Sequence, residues 1–106
     1  MAASYQLTPR ALADLDEIWN YIAQDKIGAA NRVEAAILSA CYSLARHPML
    51  GTKRTEITST PVRLWTVPRY PRFIVVYRPE TNPIHIVAIV HGMRDLKRLL
   101  NEPGAF

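Results

Sequence analysis

The chain has 106 residues, of which 49% are hydrophobic, and it carries a formal net charge of +4 with a single cysteine. This length supports one domain, expected to span 1–106, and is too short to hold a cofactor domain beside a substrate domain. One cysteine, Cys41, rules out an internal disulfide and a cysteine-based metal site, and no apolar run approaches the roughly 18 residues of a membrane span.

The charge is unevenly spread. Residues 1–50 carry four Lys/Arg against five acids, and residues 51–106 carry nine against four, so the halves stand at −1 and +5. A positive second half favours an anionic partner, either nucleic acid or an acidic protein segment. No basic stretch followed by an apolar run opens the chain, so a cytoplasmic location is expected, with no membrane partner.

Tyr5-Gln6-Leu7 alternates as a short edge strand does. Thr8-Pro9 then signals a helix start, because Thr8 can cap and Pro9 needs no amide hydrogen at the first helical position. Leu12, Leu15, Ile18, Trp19 and Ile22 follow at helical spacing. Asp14, Asp16 and Glu17 sit in the half of that helix where its dipole favours negative charge. The helix is expected to end near Asp25, with Gly28 as its breaker. A second helix is predicted from about Ala29 to Arg46, with a stripe of Ala30, Val33, Ile37, Ala40, Cys41 and Leu44, stopped by Pro48. The short connection makes the pair an antiparallel hairpin, packed in part by Trp19 and Tyr21.

After a polar loop, three strands are predicted: Val62–Val67, Arg72–Arg78 and Ile84–His91. Prolines or Gly92 bound them, and short turns make them antiparallel. Strict alternation puts Phe73, Val75 and Tyr77 on one face of the middle strand and Ile74 and Val76 on the other. In the last strand it puts Ile84, Ile86, Ala88 and Val90 opposite Val87 and Ile89. Both strands are apolar on both faces, as central strands are. The helical hairpin covers one face, and a tail bearing Leu96, Leu99 and Leu100 covers part of the other. The remainder is expected to be an exposed apolar patch fit for a partner. The fold class is thus α+β: an N-terminal strand, then a two-helix antiparallel hairpin packed on a mainly antiparallel sheet of about four strands.

In this order, the segments Leu7-Thr8-Pro9-Arg10-Ala11, Asp14-Leu15-Asp16-Glu17-Ile18-Trp19, Leu44-Ala45-Arg46-His47-Pro48, Val67-Pro68-Arg69-Tyr70, Val76-Tyr77-Arg78-Pro79 and His91-Gly92-Met93-Arg94-Asp95-Leu96 resemble the RelE/ParE superfamily of toxins from type II toxin–antitoxin modules. The resemblance covers nearly the whole chain and is closest to the ParE branch, often described as plasmid-stabilisation proteins. It implies a toxin that binds and inhibits DNA gyrase, is neutralised by a cognate antitoxin, and meets operator DNA only through that antitoxin. The alternative it carries is a RelE-like, ribosome-dependent mRNA endonuclease. A further alternative is an inactivated member kept as an interaction module.

RNA cleavage needs a base for the 2′-hydroxyl, an acid for the leaving oxygen and cations for the phosphorane. A RelE-like strand arginine would fall at Ile74 and the RelE tail tyrosine near Leu100, so both departures favour the ParE reading, in which no residue is catalytic. If the chain is RelE-like, His91 and Arg94 are the catalytic candidates: a histidine can shuttle a proton and Arg94 matches a phosphate-binding arginine. Residues expected to bind target or antitoxin are Arg63, Trp65, Arg69, Arg72, Arg94, Lys97 and Arg98. Trp65 shares a strand face with Arg63 and can stack on a base, or it packs in the core. His91 reads first as a structural strand-end histidine, His47 as a helix C-terminal partner and His85 as an outward strand residue. No two histidines stand at ligand spacing with a carboxylate, so neither a metal nor a cofactor is expected.

Overall fold

The computed structural model describes residues 4–55 and 58–102. Its elements run β1 (Tyr5–Leu7), α1 (Pro9–Ala23), α2 (Ile27–Arg46), β2 (Arg63–Val67), β3 (Tyr70–Arg78), β4 (Ile84–His91) and α3 (Gly92–Leu100). One four-stranded sheet has the order β1-β4-β3-β2. The pairs β2–β3 and β3–β4 are antiparallel, and β1 runs parallel to β4 at the edge. The α+β architecture and the edge position of β1 match the sequence expectation.

Thr8 links these layers. Its side chain caps α1 by accepting the Ala11 N–H at 3.1 Å. The same hydroxyl donates to the Val87 carbonyl at 2.9 Å, and the Thr8 N–H donates to the Ile86 carbonyl at 3.1 Å. Pro9 stands at the start of the helix, as its missing donor allows.

Two expectations for the hairpin are corrected. Gly28 breaks no helix: it lies in the first turn of α2, which starts at Ile27. α1 instead ends at Ala23, with Gln24 as its C-cap and its N–H bonded back to Asn20. Trp19 does tie the hairpin, donating its indole N–H to Asn31 Oδ1 at 2.9 Å. Tyr21 does not pack there; it is 77% exposed.

The sheet divides two cores. Leu15, Val33, Ile37, Ala40, Cys41 and Leu44 of the hairpin pack with Val67, Phe73, Val75, Tyr77, Ile84, Ile86 and Ile89. On the opposite face Leu96 and Leu99 of α3 pack with Val62, Leu64, Ile74, Val76, Val87, Ala88 and Val90. Each fully buried aliphatic side chain contributes roughly 1.5–3 kcal/mol.

β3 alternates as expected, but β4 does not. Val76 pairs with Ala88 and Tyr77 with Ile86, so Val87 is an extra residue, a β-bulge. Val87 and Ala88 both join the α3 side, and Ile89 then falls on the hairpin side with Ile84 and Ile86. This corrects the strict alternation read from the sequence. A bulge inserts one unpaired residue and shifts the phase of every later side chain, and the Thr8 hydroxyl occupies the Val87 carbonyl there.

The exposed apolar patch expected on the sheet is also absent among the described residues. The sheet residues of the α3-side core are at most 7% exposed. The nine residues of α3 suffice to close that face because two of its leucines project into it on consecutive turns. No helix is long and apolar enough to cross a membrane among the described residues.

The loop after α2 is bolted to the sheet. Tyr77 Oη donates to the Pro48 carbonyl at 2.6 Å and accepts the Gly51 N–H at 2.9 Å. Thr52 forms a single antiparallel bridge to Leu64 on the outer edge of β2.

Candidate functional site

A groove of about 1110 Å³ opens at the end of the sheet where β3 begins and β4 finishes. The strand register explains its position, since Phe73 pairs with His91. One wall is a stripe of α1, namely Arg10, Asp14, Glu17, Ile18 and Tyr21, at the three- and four-residue spacings that place side chains on one helix face. The other wall is Asp95, Arg98 and Leu99 of α3. Arg69, Tyr70, Pro71, Arg72 and Phe73 form the lip and floor together with Ile89, Val90 and His91. Helices from opposite layers of the fold thus face each other around the free edge of β4, beyond the last residue that β1 pairs.

The α1 wall is fixed by a backbone contact. Asp14 Oδ2 accepts the Ile89 N–H at 3.0 Å, and Asp14 Oδ1 meets Arg10 Nε at 3.4 Å. Burial pushes the Asp14 carboxyl up, against the opposing pull of the Ile89 N–H and the Arg10 guanidinium. Arg10 also reaches Glu102 Oε2 at 3.4 Å, which joins α1 to the end of α3. The acids of α1 therefore do more than complement a helix dipole, and its first turn holds none of them.

The lip is held by backbone geometry. Pro68 and Arg69 make the turn between β2 and β3, with Val67 paired to Tyr70. Arg69 has φ of 73°, the left-handed region. For a residue other than glycine that conformation costs about 1–3 kcal/mol and concentrates at functional positions. Arg69 and Arg72 are both exposed. His91 is exposed, with its ring tilted 57° against Phe73 at a centroid distance of 5.2 Å.

The residues singled out from the sequence divide into three groups. Arg69, Arg72, Arg98 and His91 come together in the groove. Arg94 and Lys97 are exposed on α3 outside its lining. Arg63 and Trp65 lie on β2 away from it. Arg63 pairs with Tyr77, four residues along β3 from Phe73, or roughly 13 Å at strand rise. Its guanidinium donates to the Gly51 carbonyl at 2.6 Å, so it holds the loop after α2. Trp65 packs against the hairpin-side core with its indole N–H enclosed and without a partner among the described residues. Ile74 is 6% exposed in the α3-side core.

Arg10, Glu17, Tyr21 and Asp95 are groove residues that sequence reasoning missed. The stripe on α1 was readable as a polar helix face, but only the register of β4 against α1 turns that face toward a groove. Among the described residues no group of three or more His, Cys, Asp or Glu side chains can hold a metal.

Comparison with known proteins agrees with this architecture. The family model described as "ParE toxin of type II toxin-antitoxin system, parDE" matches residues 5–96. The chain is similar to Toxin RelE2 of Caulobacter vibrioides, with 38% identity over 87 residues, 82% of this chain and 92% of that protein. It is similar also to the protein Y4kP of Sinorhizobium fredii, with 32% identity over 93 residues, 88% of this chain and 92% of that one. Among solved structures, a chain of the chromosomal ParDE TA system from P. aeruginosa superposes with a TM-score of 0.70 at 24% identity, covering 87% of this chain and 98% of that chain. At that identity the likeness speaks to the fold, which is the one built above from Thr8, the hairpin and the two cores. The chain belongs to the ParE toxin family of type II toxin–antitoxin systems.

Proposed function

We propose that this toxin acts by binding DNA gyrase without turnover and is held inactive by a cognate antitoxin. The observation that carries the reading is the burial of Ile74 in the α3-side core. The RelE/ParE resemblance puts a nuclease arginine at that position, and here the position faces Leu96 and Leu99 rather than a substrate. A charged side chain at such a site would be costly to bury without a partner. Membership in the ParE family supports the same choice.

Purified toxin is expected to inhibit gyrase supercoiling and to raise cleaved DNA, and addition of the antitoxin is expected to reverse both. Intact supercoiling at saturating toxin would overturn the assignment.

One observation favours a second reading. His91 shares the groove with Arg69, Arg72 and Arg98, which places an imidazole beside three guanidinium groups. A relative named RelE2 stands beside it. Translating ribosomes exposed to the toxin would then show messenger cleavage that His91→Ala abolishes.

A further inference from the structure

The groove does not have the charge of a phosphate-binding track. Arg69, Arg72 and Arg98 carry no ion pair among the described residues, yet Glu17 and Asp95 stand in the same lining, also unpaired. Asp14 is a third carboxylate there, already engaged by Arg10 and Ile89. A duplex presents one negative charge per roughly 1.7 Å of axis. The lining sets Glu17, Asp95 and Asp14 among Arg69, Arg72 and Arg98, so such a chain meets carboxylates there as well as arginines. An uninterrupted polyanion therefore gains little from the three arginines. The lining is also apolar in part: Ile18, Tyr70, Phe73 and Leu99 belong to it, and Tyr21 stands 77% exposed on its α1 wall.

We infer that the groove takes a polypeptide segment of mixed charge, apolar along its middle, with acidic side chains toward Arg69, Arg72 and Arg98 and a basic side chain toward Glu17. Glu17 is its specificity determinant. Carboxylates and arginines in one lining disfavour a purely acidic and a purely basic partner alike, so the two signs together select the occupant. The volume of 1110 Å³ suits such a segment. One helical turn with side chains fills roughly 400–600 Å³ at 10–12 Å diameter, which leaves room for about two turns.

The inference rests on the reading of this groove as the toxin's contact surface, but not on gyrase as the target. A phage-displayed library of random linear peptides, selected on immobilised full-length toxin, tests it. Wild-type toxin is expected to enrich peptides that combine acidic residues, apolar residues and a basic residue. Glu17→Lys is expected to enrich peptides with an acid in place of that base. A peptide synthesised from the wild-type pool is expected to lose about tenfold or more in affinity for Arg72→Glu and for Arg98→Glu. All three positions are exposed, and unchanged circular dichroism checks that each variant is folded. Failure to enrich any motif, identical pools from wild type and Glu17→Lys, or tighter binding of a single-stranded oligonucleotide than of the peptide would each overturn the inference. A negative gyrase assay alongside a mixed-charge motif would remove the target assignment and leave this one standing.

Discussion

Asp14 and Ile89 stand 75 residues apart in the chain, and the carboxylate of the first accepts the backbone N–H of the second at 3.0 Å. β1 ends at Leu7 and pairs β4 only as far as Ile86, so the amide of Ile89 has no strand neighbour on that side. A helix side chain takes the place of the missing strand and fixes α1 against the end of β4, where the groove opens.

Removal of that carboxylate leaves a half-enclosed amide without an acceptor. Asp14→Ala is expected to cost about 1–3 kcal/mol in urea unfolding. Asp14→Asn keeps a carbonyl oxygen for Ile89 and is expected to retain most of the stability. The native carboxyl is raised above its ordinary value of 3.8. Between that value and the native one, the folded protein binds more proton than the unfolded chain. The proton-linked part of Asp14's contribution to stability is therefore complete at pH below 3.8 and is lost as pH rises through the native value, while the hydrogen bond to Ile89 remains. Unfolding midpoints across the acid range should show this downward slope in wild type and lack it in Asp14→Asn; parallel curves for the two proteins would contradict it.

Gly51 and Tyr77 form a second coupled pair. A Cβ on Gly51 would lie 2.7 Å from Tyr77 Oη and 2.8 Å from the Leu64 carbonyl oxygen. Gly51→Ala is expected to destabilise by about 1–3 kcal/mol through overpacking. Tyr77→Phe leaves the Gly51 N–H and the Pro48 carbonyl without that partner and is expected to cost about 1–3 kcal/mol. The double variant should cost less than the two single changes together, because the phenol oxygen is part of the clash. Strict additivity in chemical denaturation would show that the two residues act independently.

Cys41 is fully buried in the hairpin-side core, and burial pushes its thiol up to about 12. At pH 8 the thiolate fraction is then of order 10⁻⁴. A chromogenic thiol reagent is expected to leave the folded toxin unmodified and to react with one equivalent per chain in denaturant. Rapid labelling of the native protein would mean that the core around α2 opens readily.

His91 separates the two target readings by kinetics alone. Its ring rests against Phe73 at the surface, so His91→Ala is expected to leave the fold intact. Under the gyrase reading the variant still inhibits supercoiling, with at most the loss of one groove contact. A general acid or base at this position would instead lose about 10²–10⁴-fold in messenger cleavage on its removal.

Much of the molecule was readable from local sequence. Thr8-Pro9 located the start of α1, the apolar stripe of α2 identified the hairpin's buried face, and the two-residue period assigned Phe73, Val75 and Tyr77 to one side of β3. These features depend on the geometry of a single element, and a side-chain period reports that geometry directly. The motif order also carried the family, because each of its segments belongs to one element or one turn.

The tertiary structure alone decided the rest. Strict alternation assigned Ala88 and Val90 to the wrong partners relative to Ile84 and Ile86, because no local signal marks Val87 as an inserted residue; the Thr8 hydroxyl stabilises it from the far end of the chain. Arg63 looked as available as Arg72, yet a loop carbonyl occupies it. From the sequence Glu17 served the helix dipole and Tyr21 packed the hairpin, whereas the register of β4 puts both in the groove with Arg69 and Arg98. Sequence determined which residues are apolar, cationic or turn-forming along each element. Packing determined which of them meet, because a groove is made by residues distant in the chain, and a single bulge or hydrogen bond sets their phase.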